Sequence, residues 1–169
     1  MKKRIIAIFL ACITLFAVGC GNKYNAQLYT SAEKWLDKDF INENKVRAFY
    51  KMDDPLVSDD GIAFDRVYHG DAPTSLTFVY NDQKEFEQAF TKYDGTIDFE
   101  KQTVLLYIFA NIYPRKFKIK KIAVSGDVAD IEIYKQKRRG IGDATAPTPA
   151  YFMIVCDKLA ITQANFSIA

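Results

Sequence analysis

The chain has 169 residues, of which 49% are hydrophobic, 26% charged and 14% aromatic. That balance excludes a disordered or collagenous chain and sets one globular domain as the expectation. The formal net charge of +2 excludes the strongly basic balance of a nucleic-acid binder.

The first twenty residues read as an address. Lys2, Lys3 and Arg4 precede an uncharged run from Ile5 to Val18. A helix needs roughly twenty apolar residues to cross a hydrocarbon core of ~30 Å. The run is shorter than that and has the length of the apolar region of a secretory signal. Small residues follow at Ala17 and Gly19, and then Cys20. Ala17-Val18-Gly19-Cys20 resembles a bacterial lipobox, with Ala at the position where Leu is commonest. The resemblance implies cleavage before Cys20, a diacylglycerol on its sulfur, and acylation of the new amino terminus. Two or more acyl chains hold a protein firmly at ~0.8 kcal/mol per buried methylene. The implied address is extracytoplasmic, lipid-anchored to a bacterial cell membrane or outer membrane through Cys20.

Loss of residues 1–19 leaves 20 of the 23 Lys and Arg residues against 21 Asp and Glu, a net charge of −1. The basicity of the whole chain is therefore a property of its leader, and no nucleic-acid partner is expected. Residues 20–29 are polar and read as the lipidated cysteine and a tether. Residues 30–169 read as a single α+β domain, mainly antiparallel sheet with one or two packing helices.

A first helix is expected over Ser31–Ile41, where Thr30 and Glu33 have capping-box spacing. Lys45–Lys51 alternates like a strand. Met52–Gly61, with two Asp-Asp pairs and Pro55, reads as an acidic, turn-rich stretch. Ile62–Tyr68 and Ser75–Tyr80 read as strands around a His69–Pro73 turn. The clearest helix spans Gln83–Tyr93, with Asp82 as cap and Phe86, Ala89, Phe90 and Tyr93 on one face. Thr103–Ala110 is apolar on both alternating sets, as a central strand covered on two sides requires. Arg115–Val124 and Val128–Lys135 form a hairpin around Ser125-Gly126-Asp127. A long loop, Gln136–Ala150, leads to strands at Tyr151–Asp157 and Ile161–Ile168. The sheet is expected to be one antiparallel-rich layer. Leu105, Tyr107, Phe117, Ile131, Ile133, Ile154 and Phe90 are the expected core.

Catalytic and metal chemistry find little footing. Structural zinc wants four Cys or His ligands, and the mature chain has His69 and Cys156 besides the lipidated thiol. Asp53, Asp54, Asp59 and Asp60 fit no twelve-residue calcium loop. No metal and no cofactor is expected. Phosphate-binding glycine loops and a Gly-x-Ser-x-Gly elbow are missing from the sequence. Cys156 lies in an apolar run and reads as a small buried hydrophobe, and His69 as an exposed turn residue. The expected role is a non-catalytic binding or accessory module for another envelope protein or peptide. The alternative is an envelope hydrolase working through His69 and a carboxylate such as Asp65 or Asp71.

The candidate partner-binding residues are basic. Lys116, Lys118 and Lys120 share a strand face beside Tyr134, with Asp130 and Glu132 as cross-strand partners. Arg138 and Arg139 open the long loop, where binding residues gather on a rigid scaffold. Residues 96–158 also carry a series of features: Ile97-Asp98-Phe99, the strand Thr103–Tyr107, the hairpin ending Ile131–Ile133, and Ala146–Pro149 leading into Met153–Val155. In this order they are similar to the carboxy-terminal domain of PrcB-like protease-complex subunits, which are bacterial lipoproteins. That family places a Gly-Gly-aromatic element after the central strand; Asn111–Phe117 has no glycine here. The resemblance implies the fold and a surface-anchored, non-catalytic module that binds or stabilises another protein. A site on the glycine turn and the protease partner are not implied.

Overall fold

A computed structural model describes residues 24–113, 116–136, 142 and 144–169. The elements run β1 (Ala26–Tyr29), a 3-10 turn (Ala32–Trp35), α1 (Lys38–Glu43), β2 (Phe49–Val57), β3 (Ala63–Tyr68), β4 (Ser75–Tyr80), α2 (Gln83–Ala89), β5 (Gln102–Asn111), β6 (Lys116–Ser125), β7 (Val128–Gln136), β8 (Thr148–Asp157) and β9 (Gln163–Ile168). The class is α+β, mainly antiparallel sheet, as the sequence pattern predicts.

The expected single layer is divided. Among the described residues a four-stranded antiparallel sheet has the order β1-β8-β5-β4, a three-stranded sheet has the order β6-β7-β9, and β2 pairs only with β3. Strand β9 lies parallel to β7. The division follows from which side chains are apolar. Strand β5 alternates Leu105, Tyr107 and Phe109 on one face with Val104, Leu106 and Ile108 on the other, and both sets are buried. The first set packs with Phe152 and Ile154 of β8 against Ile122, Ile131 and Ile133 of the three-stranded sheet. The second packs with Met153 and Val155 beneath Leu36, Val46, Ala48, Phe86 and Phe90. The result is three layers with the four-stranded sheet in the middle. All of the expected core residues lie in these clusters, Phe117 only partly buried.

Three boundaries depart from the sequence reading. The Ser31–Ile41 helix breaks at Leu36, which is extended (φ −74°, ψ 151°). Asp37 then starts α1 by accepting hydrogen bonds from the Asp39 and Phe40 amides at 2.8 and 3.3 Å. The Thr30–Glu33 capping box does not form: the cap position falls on Ser31, which makes no side-chain cap bond. A tertiary tie explains the break: the Asp37 amide donates to the Ala89 carbonyl at 2.8 Å, and the Lys92 amide to that of Trp35 at 3.1 Å. Helix α2 ends at Ala89, with Phe90 leaving helical geometry as it enters the core. Its cap is the expected one, Asp82 accepting from the Glu85 amide at 2.9 Å. Finally, Ala26–Tyr29 belongs to the sheet as β1, pairing with Met153–Cys156. Ala26–Tyr29, read as part of a tether, is therefore a strand.

A buried polar knot fixes the β5/β8 sheet at one end. Thr103, fully buried, donates to Asn81 Oδ1 at 2.9 Å and accepts from the Leu159 amide at 3.1 Å. Asn81 Nδ2 donates in turn to the Ile161 carbonyl at 2.8 Å. Each partner would carry a desolvation cost if left alone.

One substitution at two positions separates core from surface. Leu105→Ala, between the two large sheets, is expected to lower unfolding stability by about 2–5 kcal/mol. Leu56→Ala, at a 63% exposed site, is expected to change it by less than about 0.5 kcal/mol. Urea denaturation followed by fluorescence reads both; equal effects would contradict the layer assignment.

Candidate interaction arm and its pole

The β2–β3 hairpin is the outlying element of the fold. Its base is held: the Phe49 amide donates to the Pro147 carbonyl at 2.9 Å, the His69 amide to that of Ala48 at 3.1 Å, and the Phe49 and Tyr68 rings meet at 4.7 Å. Tyr50 is buried there. Beyond this base the two strands form an arm whose residues are nearly all exposed. The stretch expected to be a turn, Met52–Gly61, is mostly strand. Four residues, 52–55, lie opposite Asp65 alone, since Lys51 pairs with Arg66 and Leu56 with Phe64. This wide bulge absorbs Asp53-Asp54-Pro55, where proline has no amide to donate to a ladder.

The turn itself is compact. The Gly61 amide donates to the Ser58 carbonyl at 2.8 Å and the Ser58 amide to that of Ile62 at 3.0 Å. Gly61 has φ +80°, the left-handed conformation that a three-residue hairpin loop with a bulge requires. The Ser58 hydroxyl donates to Asp60, which holds that carboxyl below the usual range.

Large hydrophobic side chains are exposed almost solely on this arm. Among the described residues they are Leu56, Val57, Ile62, Phe64, Val67, Tyr68 and, elsewhere, Tyr134. Register places Leu56 beside Phe64, in line with Arg66 and Tyr68 on one face. The arm also carries five aspartates against Lys51 and Arg66, a net charge of −3 over residues 49–68. A two-stranded ribbon is marginal in water by itself, and a contiguous exposed apolar patch marks an interaction surface. Sequence reading missed the arm because a half-apolar strand reads the same whether its face is covered or bare.

Where the arm joins the body there is a cleft of about 430 Å³. Ile41, Phe49, Tyr50 and Pro149 supply its apolar wall, while Lys38, Lys45, Lys51 and Arg66 outnumber Glu33 and Asp53. The Tyr50 hydroxyl is fixed by accepting from the Val46 amide at 2.8 Å. His69 packs edge-on against Tyr50, ring centroids 5.2 Å apart. It is half-buried, not the exposed turn residue expected, and its Nε2 is buried without a hydrogen-bond partner. Burial, helped by the positive charge of Lys45, holds its pKa below the ordinary value of 6.5. Among the described residues no hydrogen bond or ion pair joins His69 to Asp65 or Asp71; Asp65 lies 4.0 Å from Arg66.

The basic face follows the alternation of β6. Lys116 and Lys118 are exposed on the outer side of β6, with Lys118 opposite Tyr134, itself 44% exposed. Lys120 pairs with Glu132 at 2.6 Å. Asp130, expected to pair with a lysine, lies opposite Ala123 and accepts from Asn165 at 3.0 Å. A bulge between Ile119 and Lys121 shifts the register and explains the change. Among the described residues Lys116 and Lys118 have no ion pair. Arg138, Arg139 and Cys20 lie outside the described residues. Among the described residues no group of three His, Cys, Asp or Glu side chains is placed to hold a metal ion, and no helix is long and apolar enough to cross a membrane.

These features share one end of the molecule. Strand β8 starts beside the arm at Thr148, where Pro147 meets Phe49, and β5 ends there at Asn111. The short link from β5 to β6 brings Lys116 to the same end, and Gln136 lies opposite Lys116. The Ala144 amide donates to the Ile112 carbonyl at 2.7 Å, so the long loop returns there too. The amino-terminal segment joins at the opposite end. The Asn25 amide donates to the Asp157 carboxylate at 2.9 Å, and the Asp157 amide to the Asn25 carbonyl at 3.0 Å.

Cys156 is buried, its Sγ 3.5 Å from the Thr103 carbonyl, and burial pushes its thiol up to about 12. The folded protein at pH 8 is expected to resist a thiol reagent and to react fully once unfolded; rapid labelling in the native state would contradict this burial. The His69 shift has its own signature. A depressed histidine pKa means the folded state binds fewer protons, so its contribution to stability is present above pH 6.5 and is lost as pH falls below that value. NMR titration of this single histidine is expected to give a pKa below 6.5, and His69→Asn to flatten the stability profile between about pH 5 and 6.5.

Compared with protein-family models, with curated proteins and with solved structures, the chain matches none.

Proposed function

We propose that this protein is an extracytoplasmic lipoprotein, anchored through acylated Cys20, that acts as a non-catalytic binding module. The reading joins two independent facts. The leader ends in the Ala17–Cys20 lipobox pattern, and the apolar, acidic arm lies at the end of the domain opposite Asn25. Five residues from Cys20 to Asn25 span at most about 18 Å. Strand β8, with ten residues between the two ends, covers about 30 Å. An anchored domain would then carry its arm on the side facing away from its own bilayer.

The arm is the observation that carries the binding role. Six large hydrophobic side chains stand in water on a ribbon too small to be stable alone, and a partner surface would remove them from it. Among the described residues His69 is a half-buried ring packed against Tyr50 with no hydrogen bond or ion pair to a carboxylate, and this supports the binding reading over a hydrolase. The PrcB-like resemblance of residues 96–158 points the same way, toward a module that binds or stabilises a protein.

Replacing the anchor sulfur tests the address. Cys20→Ser, expressed in a lipoprotein-processing bacterium, is expected to abolish lipid labelling and release the domain to the soluble fraction after alkaline washing. Retention in the membrane at unaltered mass would overturn the anchored reading.

A further inference from the structure

Seven large hydrophobic side chains are exposed among the described residues, six of them on the arm. The seventh, Tyr134, stands opposite Lys118 on the β6–β7 outer face, with Lys116 next along that face. The two patches are complementary. The arm offers a net charge of −3 around an apolar centre. The other face offers two lysines without ion pairs among the described residues, around a single aromatic ring. They lie at the same end of the molecule, so copies anchored side by side would present both at the same height above the bilayer.

We propose that the arm of one copy binds the Tyr134–Lys116–Lys118 face of a neighbouring copy. The proposal rests on the binding-module reading and names its partner. Leu56 and Phe64, neighbours in register, would cover Tyr134, while Asp59 and Asp60 of the arm's turn would meet Lys116 and Lys118. Charge disfavours the other occupants of the arm. Two arms repel, each being negative, and an anionic lipid surface has the same sign. Open strand edges add to the case: β6 is the edge of its sheet, and the arm strands pair only with each other. Each copy has one arm and one receiving face, so the contact is head-to-tail and builds a ring or a row. Confinement in a membrane raises the effective concentration of neighbours, so a contact weak in dilute solution becomes occupied.

Crosslinking on vesicles decides it. Full-length protein carrying Val67→Cys on the arm and full-length protein carrying Lys121→Cys beside the lysines are reconstituted in phosphatidylcholine vesicles, separately and mixed, and treated with a short bismaleimide. The buried Cys156 thiol stays unreactive. The mixed sample is expected to give several-fold more covalent dimer than either alone. Lys116→Glu with Lys118→Glu should cut that yield at least ten-fold, and Asp59→Lys with Asp60→Lys on the other partner should restore it. All of these positions are exposed, and circular dichroism checks that each variant is folded. Dimer from the Val67→Cys protein alone, which would mean arm to arm, or no dimer at any surface density overturns the proposal. So does a charge reversal without effect. Flotation of the vesicles reads anchoring separately: protein that floats without crosslinking leaves the anchored reading standing and removes the contact. Protein that does not float keeps free Cys12 and Cys20 thiols, so it is crosslinked in solution as the Cys12→Ser, Cys20→Ser variant, where mixed dimer supports the contact without the anchor.

Discussion

The ladder between β5 and β8 runs for ten residue pairs, from Gln102 opposite Asp157 to Asn111 opposite Thr148, and it is buried on both faces. Every other element attaches to one of its faces, edges or ends. The apolar residues of β5 alternate between two cores, so the middle sheet can be satisfied only if both are filled. The three-stranded sheet fills one and the α1/α2 layer with its connecting segments fills the other. Loss of either layer would bare a row of side chains such as Leu106, Ile108 and Met153, at ~1.5–3 kcal/mol for each one re-exposed.

The same ladder gives the molecule two unlike ends. At the Asp157 end, Asn25, Thr103, Asn81 and the β8–β9 link are joined by hydrogen bonds. Lys158 adds to this closure by donating from Nζ to the carbonyls of Asn81 and Phe99 at 2.9 and 2.8 Å. At the Thr148 end the chain makes the arm, the cleft beside it, the returning loop and the lysine face. In the proposed anchored arrangement the domain would be tied at the first end and would work at the second. The division also explains why the arm tolerates exposure of apolar groups: its fold depends on the base around Tyr50, Phe49 and Tyr68, not on its own ribbon.

Strand identities were legible wherever both local pattern and burial pointed the same way. Ser75–Tyr80, the β6–β7 hairpin and the doubly apolar β5 stand where alternation puts them, and Asp82 caps α2 as its spacing predicts. Pattern failed where tertiary contacts decided. The capping-box residues Thr30 and Glu33 were outweighed by Asp37, whose amide is claimed by Ala89 across the layer. The polar residues before Tyr29 gave no sign that β8 would leave an edge for Ala26–Tyr29 to join. His69 looked like a turn residue because burial by Tyr50, a neighbour in space, leaves no mark in the local sequence.

By itself the sequence determined the class of the fold, the order of most strands and several core residues, Leu105, Ile131 and Phe90 among them, because period and apolar content are local properties of a chain in water. It also carries the Ala17-Val18-Gly19-Cys20 run on which the proposed anchor rests. The tertiary structure alone decided that the sheet is split in two, that β9 joins β7 in parallel, and that Leu56 and Phe64 face solvent while Leu105 and Phe152 face each other. Those outcomes depend on which surfaces meet after the chain has turned back on itself. Alternation along one strand says that a face is apolar; only the other strands determine whether anything covers it.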